Sequence, residues 1–149
     1  MAIRFDRSAT APGRAALHRA PLGGERVLAV DDDFDVRDML AALLESAGAE
    51  VRTAGSGAEA LVALRSWRPT VIVCDIGMPG QNGYELIEAI RALPGGERIP
   101  AAALTAYGRR EDSARALAAG FQVHIPKPAD ADELIAALTH LARLGRSPR

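Results

Sequence analysis

From Glu25 onward, short runs of β-branched and aliphatic residues alternate with longer segments whose apolar positions recur at helical spacing. That alternation constrains the chain more than any other feature. Strands that run parallel need a crossover between them, usually a helix, so five strand–helix units predict an α/β domain on a five-stranded parallel sheet. Val27 to Val30 reads as a buried first strand, and Val36, Met39, Leu40, Leu43 and Leu44 follow as a helical stripe stopped by Gly48. Glu50 to Ala54 has only Val51 and Thr53 as strand formers, which suits an edge. Ser56 and Glu59 make a capping-box pattern before Ala60, Leu61 and Leu64, and that helix should end before Pro69. Val71 to Cys74 is apolar without a break, as a central strand covered on both faces would be. Leu86, Ile87, Ile90 and Leu93 form a third helix ended by Pro94-Gly95-Gly96. Ala101 to Leu104 reads as strand four from its context, despite alanine's helical preference, and a short Ala-rich helix follows around Ser113 to Ala119. Phe121 to Ile125 supplies strand five. Leu134, Ile135, Leu138 and Leu141 supply helix five, behind an Asp130 to Glu133 capping pattern.

The 149 residues match the size of one domain. Residues 1–24 carry Ala, Pro, Gly and Thr throughout and no signal-peptide core, so they are expected to be a flexible tail that adds nothing to the core. Residues 145–149 read as a second polar tail, leaving 25–144 for the fold. Lys and Arg total 18 against 19 Asp and Glu, which excludes the positive charge of sequence-blind nucleic-acid binding. No apolar run approaches the roughly 18 residues of a membrane span, so neither nucleic acid nor membrane is an expected direct partner. The one cysteine, Cys74, excludes an internal disulfide framework and a Cys-rich zinc site, and suits the cytoplasm.

In open parallel sheets, ligands bind beyond the carboxyl ends of the strands. The residues there are polar: Asp31-Asp32-Asp33 after strand one, Asp75 after strand three, Thr105 after strand four, and Lys127 between two prolines after strand five. Clustered carboxylates raise one another's pKa unless a cation neutralises them, so the grouping predicts a bound metal, and oxygen donors favour Mg2+. A lysine and a hydroxyl facing that metal complete a cradle for a phosphoryl group.

Val-Leu-Ala-Val-Asp-Asp-Asp at 27–33, Val-Ile-Val-Cys-Asp-Ile-Gly-Met-Pro-Gly at 71–80, Leu-Thr-Ala at 104–106 and Lys-Pro at 127–128 together resemble the response-regulator receiver domain of bacterial two-component signalling. The resemblance spans roughly residues 26 to 144. It implies a doubly wound, flavodoxin-like three-layer sandwich of strand order 2-1-3-4-5. It implies Asp75 as phospho-acceptor, Asp31 and Asp32 as the acidic Mg2+ pair, a backbone carbonyl ligand at Gly77, Thr105 as switch hydroxyl, and Lys127 as phosphate contact. Its implied partners are a sensor histidine kinase or histidine phosphotransfer protein, a downstream output protein, and a second copy of the chain through helix four, strand five and helix five. The domain would catalyse only its own phosphorylation and dephosphorylation. Signalling would pass through a partner or move onward in a relay, since no output domain follows helix five. The stretch from Gly120 to Pro128 is closer to receivers attached to hybrid sensor kinases than to those of DNA-binding regulators. His124 stands where the family often has Tyr or Phe, and Ala129 where it often has Phe. Gly77 and Tyr107, two residues beyond Asp75 and Thr105, are expected to set how water reaches the phosphoryl group.

Plainer readings stand beside these. The three aspartates could be a solvated turn capping the first helix, Asp75 could cap a loop, and His124, Cys74, Trp67 and Phe121 could be packing residues. The calcium-loop spacing of Asp31, Asp33 and Asp35 lacks its Gly and closing Glu, where Val36 and Ala42 stand. An aspartyl-nucleophile phosphatase of haloacid-dehalogenase type is the main rival, on Asp31-Asp32-Asp33, although no second acidic pair follows late in the chain. A flavin module would want a Ser/Thr/Gly-rich loop after strand one instead of acids.

Overall fold

A computed structural model describes residues 20–78, 80, 82–106 and 110–146, with backbone only at 110–112 and 146. Strands β1 (Arg26–Val30), β2 (Glu50–Ala54), β3 (Val71–Asp75), β4 (Ala101–Thr105) and β5 (Val123–Pro126) form one parallel sheet in the order β2-β1-β3-β4-β5. The helices are α1 (Phe34–Ser46), α2 (Gly57–Ala63), α3 (Gly83–Ala92), α4 (Arg110–Ala119) and α5 (Ala131–Arg146), with a 3-10 turn at Gly96–Arg98. This is the doubly wound, flavodoxin-like order expected.

Alternation along the strands feeds two cores. Leu28, Val30, Ile72, Cys74, Ala101 and Ala103 meet Ala60 of α2, Leu86, Ile87 and Ile90 of α3, and Ala116 of α4. Val27, Ala29, Val71, Val73, Ala102 and Leu104 meet Leu40 and Leu44 of α1, and Leu134, Leu138 and Leu141 of α5. Each such leucine contributes about 1.5–3 kcal/mol by leaving water. Both β3 and β4 are buried at every position, and the alanines of β4 pack there as small strand residues between two helix layers. By contrast β2, at the edge, exposes Glu50, Arg52 and Thr53.

Local chemistry explains the ends. Asp33 caps α1, its carboxylate accepting from the amides of Asp35 (2.9 Å) and Val36 (3.3 Å). Ser56 caps α2 through the Glu59 amide at 3.1 Å, but the Glu59 carboxylate takes the amide of Gly55 instead of Ser56, shifting the expected box by one residue. Asn82 and Glu85 form a complete capping box on α3, a pairing not singled out from sequence.

Two expectations about the ends are corrected. Leu22 is fully buried in the second core, and its amide donates to the Ala47 carbonyl at 2.8 Å. Pro21 to Gly24 therefore forms a turn that plugs the space behind α1, and Gly48 (φ +102°) leaves room for it: a Cβ there would sit 2.8 Å from that of Ala20. The expected tail at 1–24 is thus wrong for its last residues, while 1–19 lie outside the described residues. At the other end α5 continues through Gly145 and Arg146, with Gly145 close enough to Pro100 that a Cβ there would stand 2.8 Å from its Cγ, and only 147–149 of the expected tail lie outside the described residues. Phe121 precedes β5 instead of opening it, anchoring the turn after α4 from within the first core.

Candidate functional site

Parallel strands deliver their carboxyl ends to one edge, and the polar residues expected there converge. Asp31, Asp75 and Thr105 are buried at 1%, 6% and 3% exposure, whereas Asp32 faces solvent. One carboxylate oxygen from each of Asp31, Asp32 and Asp75 lies within 4.8 Å of the others. The Lys127 ammonium reaches in from the end of β5, donating to Asp75 Oδ1 at 3.0 Å and Asp31 Oδ2 at 3.4 Å. Gly77 N donates to Asp75 Oδ1 at 3.3 Å. Gly83 lets α3 start close behind Asp75, where a Cβ would stand 2.7 Å from the Asp75 carbonyl.

Burial raises the Asp31 pKa above its ordinary value, the amide of Asp33 opposes that rise, the Asp75 charge adds to it, and Lys127 again opposes it. Burial alone would lower Lys127, but its hydrogen bond to Asp75 and the charges of Asp75 and Asp31 outweigh it, so the ammonium is held more firmly. Burial first, then the charges of Asp75 and Asp31, push the Cys74 thiol up, so Cys74 is packing and no nucleophile.

Three carboxylates face one ammonium, so the pocket keeps negative charge that a small divalent cation would neutralise. All the donors are hard oxygens, one side is open through Asp32, and nothing softer competes within the cluster; this donor set fits Mg2+. The buried Thr105 Oγ1 has no hydrogen-bond partner among the described residues. A hydroxyl costs free energy in that state, and an incoming anionic oxygen would relieve it.

Asp31, Asp32, Asp75 and Lys127 are thus brought together; Thr105 ends the neighbouring strand, its carbonyl accepting from the Lys127 amide at 2.7 Å, and Gly77 meets Asp75 through its amide. Asp33 is set apart from them as the α1 cap, so the plain reading of the acidic run holds for one aspartate in three. His124 lies in register with Ala103, half-buried, its Nε2 without a partner among the described residues. Ala129 packs against the second core. Tyr107 lies outside the described residues. Arg37, not singled out from sequence, donates to the Asp31 carbonyl at 2.8 Å. Its only sequence signal is its place on the first turns of the helix that follows the aspartates.

Residues 27–139 match the family described as the response regulator receiver domain. An uncharacterized 14.6 kDa protein from the sodA1 3' region of Leptolyngbya boryana is 49% identical over 109 residues, covering 73% of this chain and 83% of that protein. The DNA-binding response regulator MtrA of Mycolicibacterium paratuberculosis is 35% identical over 83% of this chain, which spans 52% of MtrA's length. Among solved structures, the chemotaxis response regulator CheY4 of Vibrio cholerae superposes with a TM-score of 0.75 at 33% identity, over 78% of this chain and 98% of that one. The signal receiver domain of a signal transduction histidine kinase from Syntrophus aciditrophicus gives 0.77 at 27% identity, over 85% and 96%. Among the described residues no helix is long and apolar enough to cross a membrane.

Proposed function

The chain belongs to the response regulator receiver domain family, a family of signalling modules, and from that premise we propose that it is the phospho-accepting step of a two-component relay. In this reading an Asp75 carboxylate oxygen attacks the phosphorus of a phosphohistidine. A P–O bond forms, the P–N bond breaks, and the electron pair of that bond leaves with the imidazole. The observation that carries the reading is the buried Asp75 carboxylate with Lys127 at 3.0 Å and two further aspartates beside it. Asp31, Asp32, Asp75 and the Gly77 carbonyl are the groups that would hold Mg2+, which when bound supplies charge neutralisation at the transferring oxygens. Lys127 holds the acceptor carboxylate in place and is positioned to meet the phosphoryl group; Thr105 offers it a hydroxyl.

The phosphodonor has a place to sit. Val36, Met39, Leu40, Leu43, Leu104, Pro128, Ala129 and Leu134 line an apolar groove of about 510 Å³ that runs up to Lys127, and Phe34 and Met39 are largely exposed on α1. We assign this groove to the helices of a histidine kinase or histidine phosphotransfer protein, because it is continuous with the acceptor site. Once Asp75 is phosphorylated, Thr105 and Lys127 gather around the phosphoryl group and bias the surface of α4, β5 and α5 toward an output partner or a second copy. The product is an acyl phosphate whose hydrolysis resets the module in the cytoplasm. A phosphatase of haloacid-dehalogenase type finds no support in the family match or in relatives such as MtrA and CheY4.

The test is phosphoryl uptake from a small labelled phosphodonor, with Mg2+ and with excess chelator. Label that depends on Mg2+ and is released by hydroxylamine, as an acyl phosphate must be, is the expected result. Full uptake in chelator would remove the metal from the reading, and steady turnover of phosphate esters would favour the phosphatase.

A further inference from the structure

The Asp31-Asp32-Asp33 turn is held from three directions. The Asp31 amide donates to the Ala54 carbonyl at the end of β2 (3.1 Å), and its carboxylate takes the Asp33 amide (2.9 Å). Its carbonyl takes Arg37 Nη1 at 2.8 Å. The same guanidinium lies against Gly55, the first residue after β2: a Cβ at Gly55 would stand 2.8 Å from Nη1 and 3.2 Å from Cζ. Glu59 closes the cluster, with Oε2 at 3.3 Å from that point and Oε1 accepting from the Gly55 amide at 3.1 Å. The Phe34 ring centroid lies 5.6 Å from the Arg37 Cζ. One planar group thus joins the β1–α1 loop to the β2–α2 loop over a residue that has no side chain.

From this geometry we infer that Arg37 is a positioning residue for the acidic pocket. By fixing the Asp31 carbonyl against the β2–α2 turn, it holds Asp31 and Asp32 where a divalent cation can use both. The inference rests on the Mg2+ reading above and adds to it a residue that touches neither the cation nor the phosphoryl group. Two physical effects of Arg37 oppose each other. A guanidinium near the pocket repels Mg2+, so by Coulomb's law alone its removal would tighten binding. If its role is to hold the loop, removal must weaken binding, as loss of a group that orients a metal ligand commonly does by 10- to 100-fold. The sign of the change separates the two.

Gly55→Ala supplies an independent lever. Gly55 is absent from the glycines with positive φ, so alanine is tolerated by the backbone, yet its methyl would displace the guanidinium with every charge left in place. The experiment is a calorimetric Mg2+ titration of the full chain as wild type, Arg37→Met, Arg37→Lys and Gly55→Ala, with the Asp31 to Asp33 amide resonances followed in parallel. We expect Arg37→Met and Gly55→Ala each to lose about tenfold or more in affinity, with Asp31 to Asp33 resonances displaced before metal is added. Arg37→Lys should recover part of the loss, since an ammonium can donate to the Asp31 carbonyl but cannot lie flat on Gly55. Unchanged or tighter binding in Arg37→Met overturns the inference. If that variant does not fold, unchanged binding in Gly55→Ala overturns it equally. Failure of the wild type to bind Mg2+ at all would instead remove the reading of the pocket on which the inference rests.

Discussion

Lys127 and Asp75 are 52 residues apart in sequence, and the Lys127 ammonium donates to Asp75 Oδ1 at 3.0 Å. This lysine is the only one in a chain that otherwise carries 17 arginines. A compact, strongly hydrated ammonium can serve two carboxylates at once and turn to a new oxygen without reshaping the pocket, whereas a guanidinium presents a wide rigid fork.

Replacement of Lys127 by arginine should therefore keep the charge and lose the function. Lys127→Arg and Lys127→Ala should both fold and take phosphate at Asp75, while affinity for an output partner ceases to depend on phosphorylation. A charge-assisted hydrogen bond is worth roughly 1.5–3 kcal/mol, so removing one is enough to upset a two-state balance of a few kcal/mol. Titration of a cognate partner against the phosphorylated proteins checks this. Normal phosphorylation-dependent binding by Lys127→Arg would show that charge alone suffices.

Asp32 is the exposed member of the acidic group, so its loss should fall on metal affinity and spare the fold. Asp32→Ala is expected to weaken Mg2+ binding and slow phosphoryl uptake, with a melting temperature in chelator equal to or slightly above that of the wild type. A drop of several degrees in chelator would make Asp32 a structural residue.

Asp31 carries a pH signature. Its pKa in the fold lies above the ordinary 3.8, chiefly through burial, so the folded chain binds more protons than the unfolded one in that window. Stability from this group is therefore greatest below 3.8 and declines as pH rises through the folded value. In chelator, Asp31→Asn should lack that decline and gain on the wild type from acid toward neutral pH. Urea midpoints across that range provide the measurement, and parallel pH profiles for the two proteins would contradict the assignment.

Leu22 plugs the second core from outside the strand–helix repeat, with no exposed surface. Leu22→Ala should lower stability by about 2–5 kcal/mol, the range for a buried leucine. Chemical denaturation tests it; a loss under about 0.5 kcal/mol, the scatter of ordinary surface substitutions, would mean that the turn at Pro21 to Gly24 is a dispensable cover.

What could be read from the sequence was whatever repeats or sits at a strand end. Four apolar runs, one polar edge strand and the helical segments between them carry the topology, because burial on both faces leaves β3 and β4 no polar positions before their last residues, and the edge strand β2 shows its polarity openly. The site was legible for the same reason, since Asp31, Asp75, Thr105 and Lys127 each directly follow or end a strand. Leu22 escaped because one leucine among turn residues has no period. Arg37 escaped because a hydrogen bond from a side chain to a main-chain carbonyl on a neighbouring loop leaves no mark in residue type. Asp33 shows the limit of motif reading: the third aspartate of the run looks like its neighbours, yet its carboxylate serves the start of α1 while its amide supports Asp31.

The central claim is that Asp75 is the phospho-acceptor, and intact-mass measurement after incubation with Mg2+ and a small phosphodonor tests it most directly. The wild type should gain the mass of one phosphoryl group, mapped by peptide analysis to Asp75, while Asp75→Asn stays folded and gains none. A phosphorylated Asp75→Asn, or a label on another side chain of the wild type, would contradict the account.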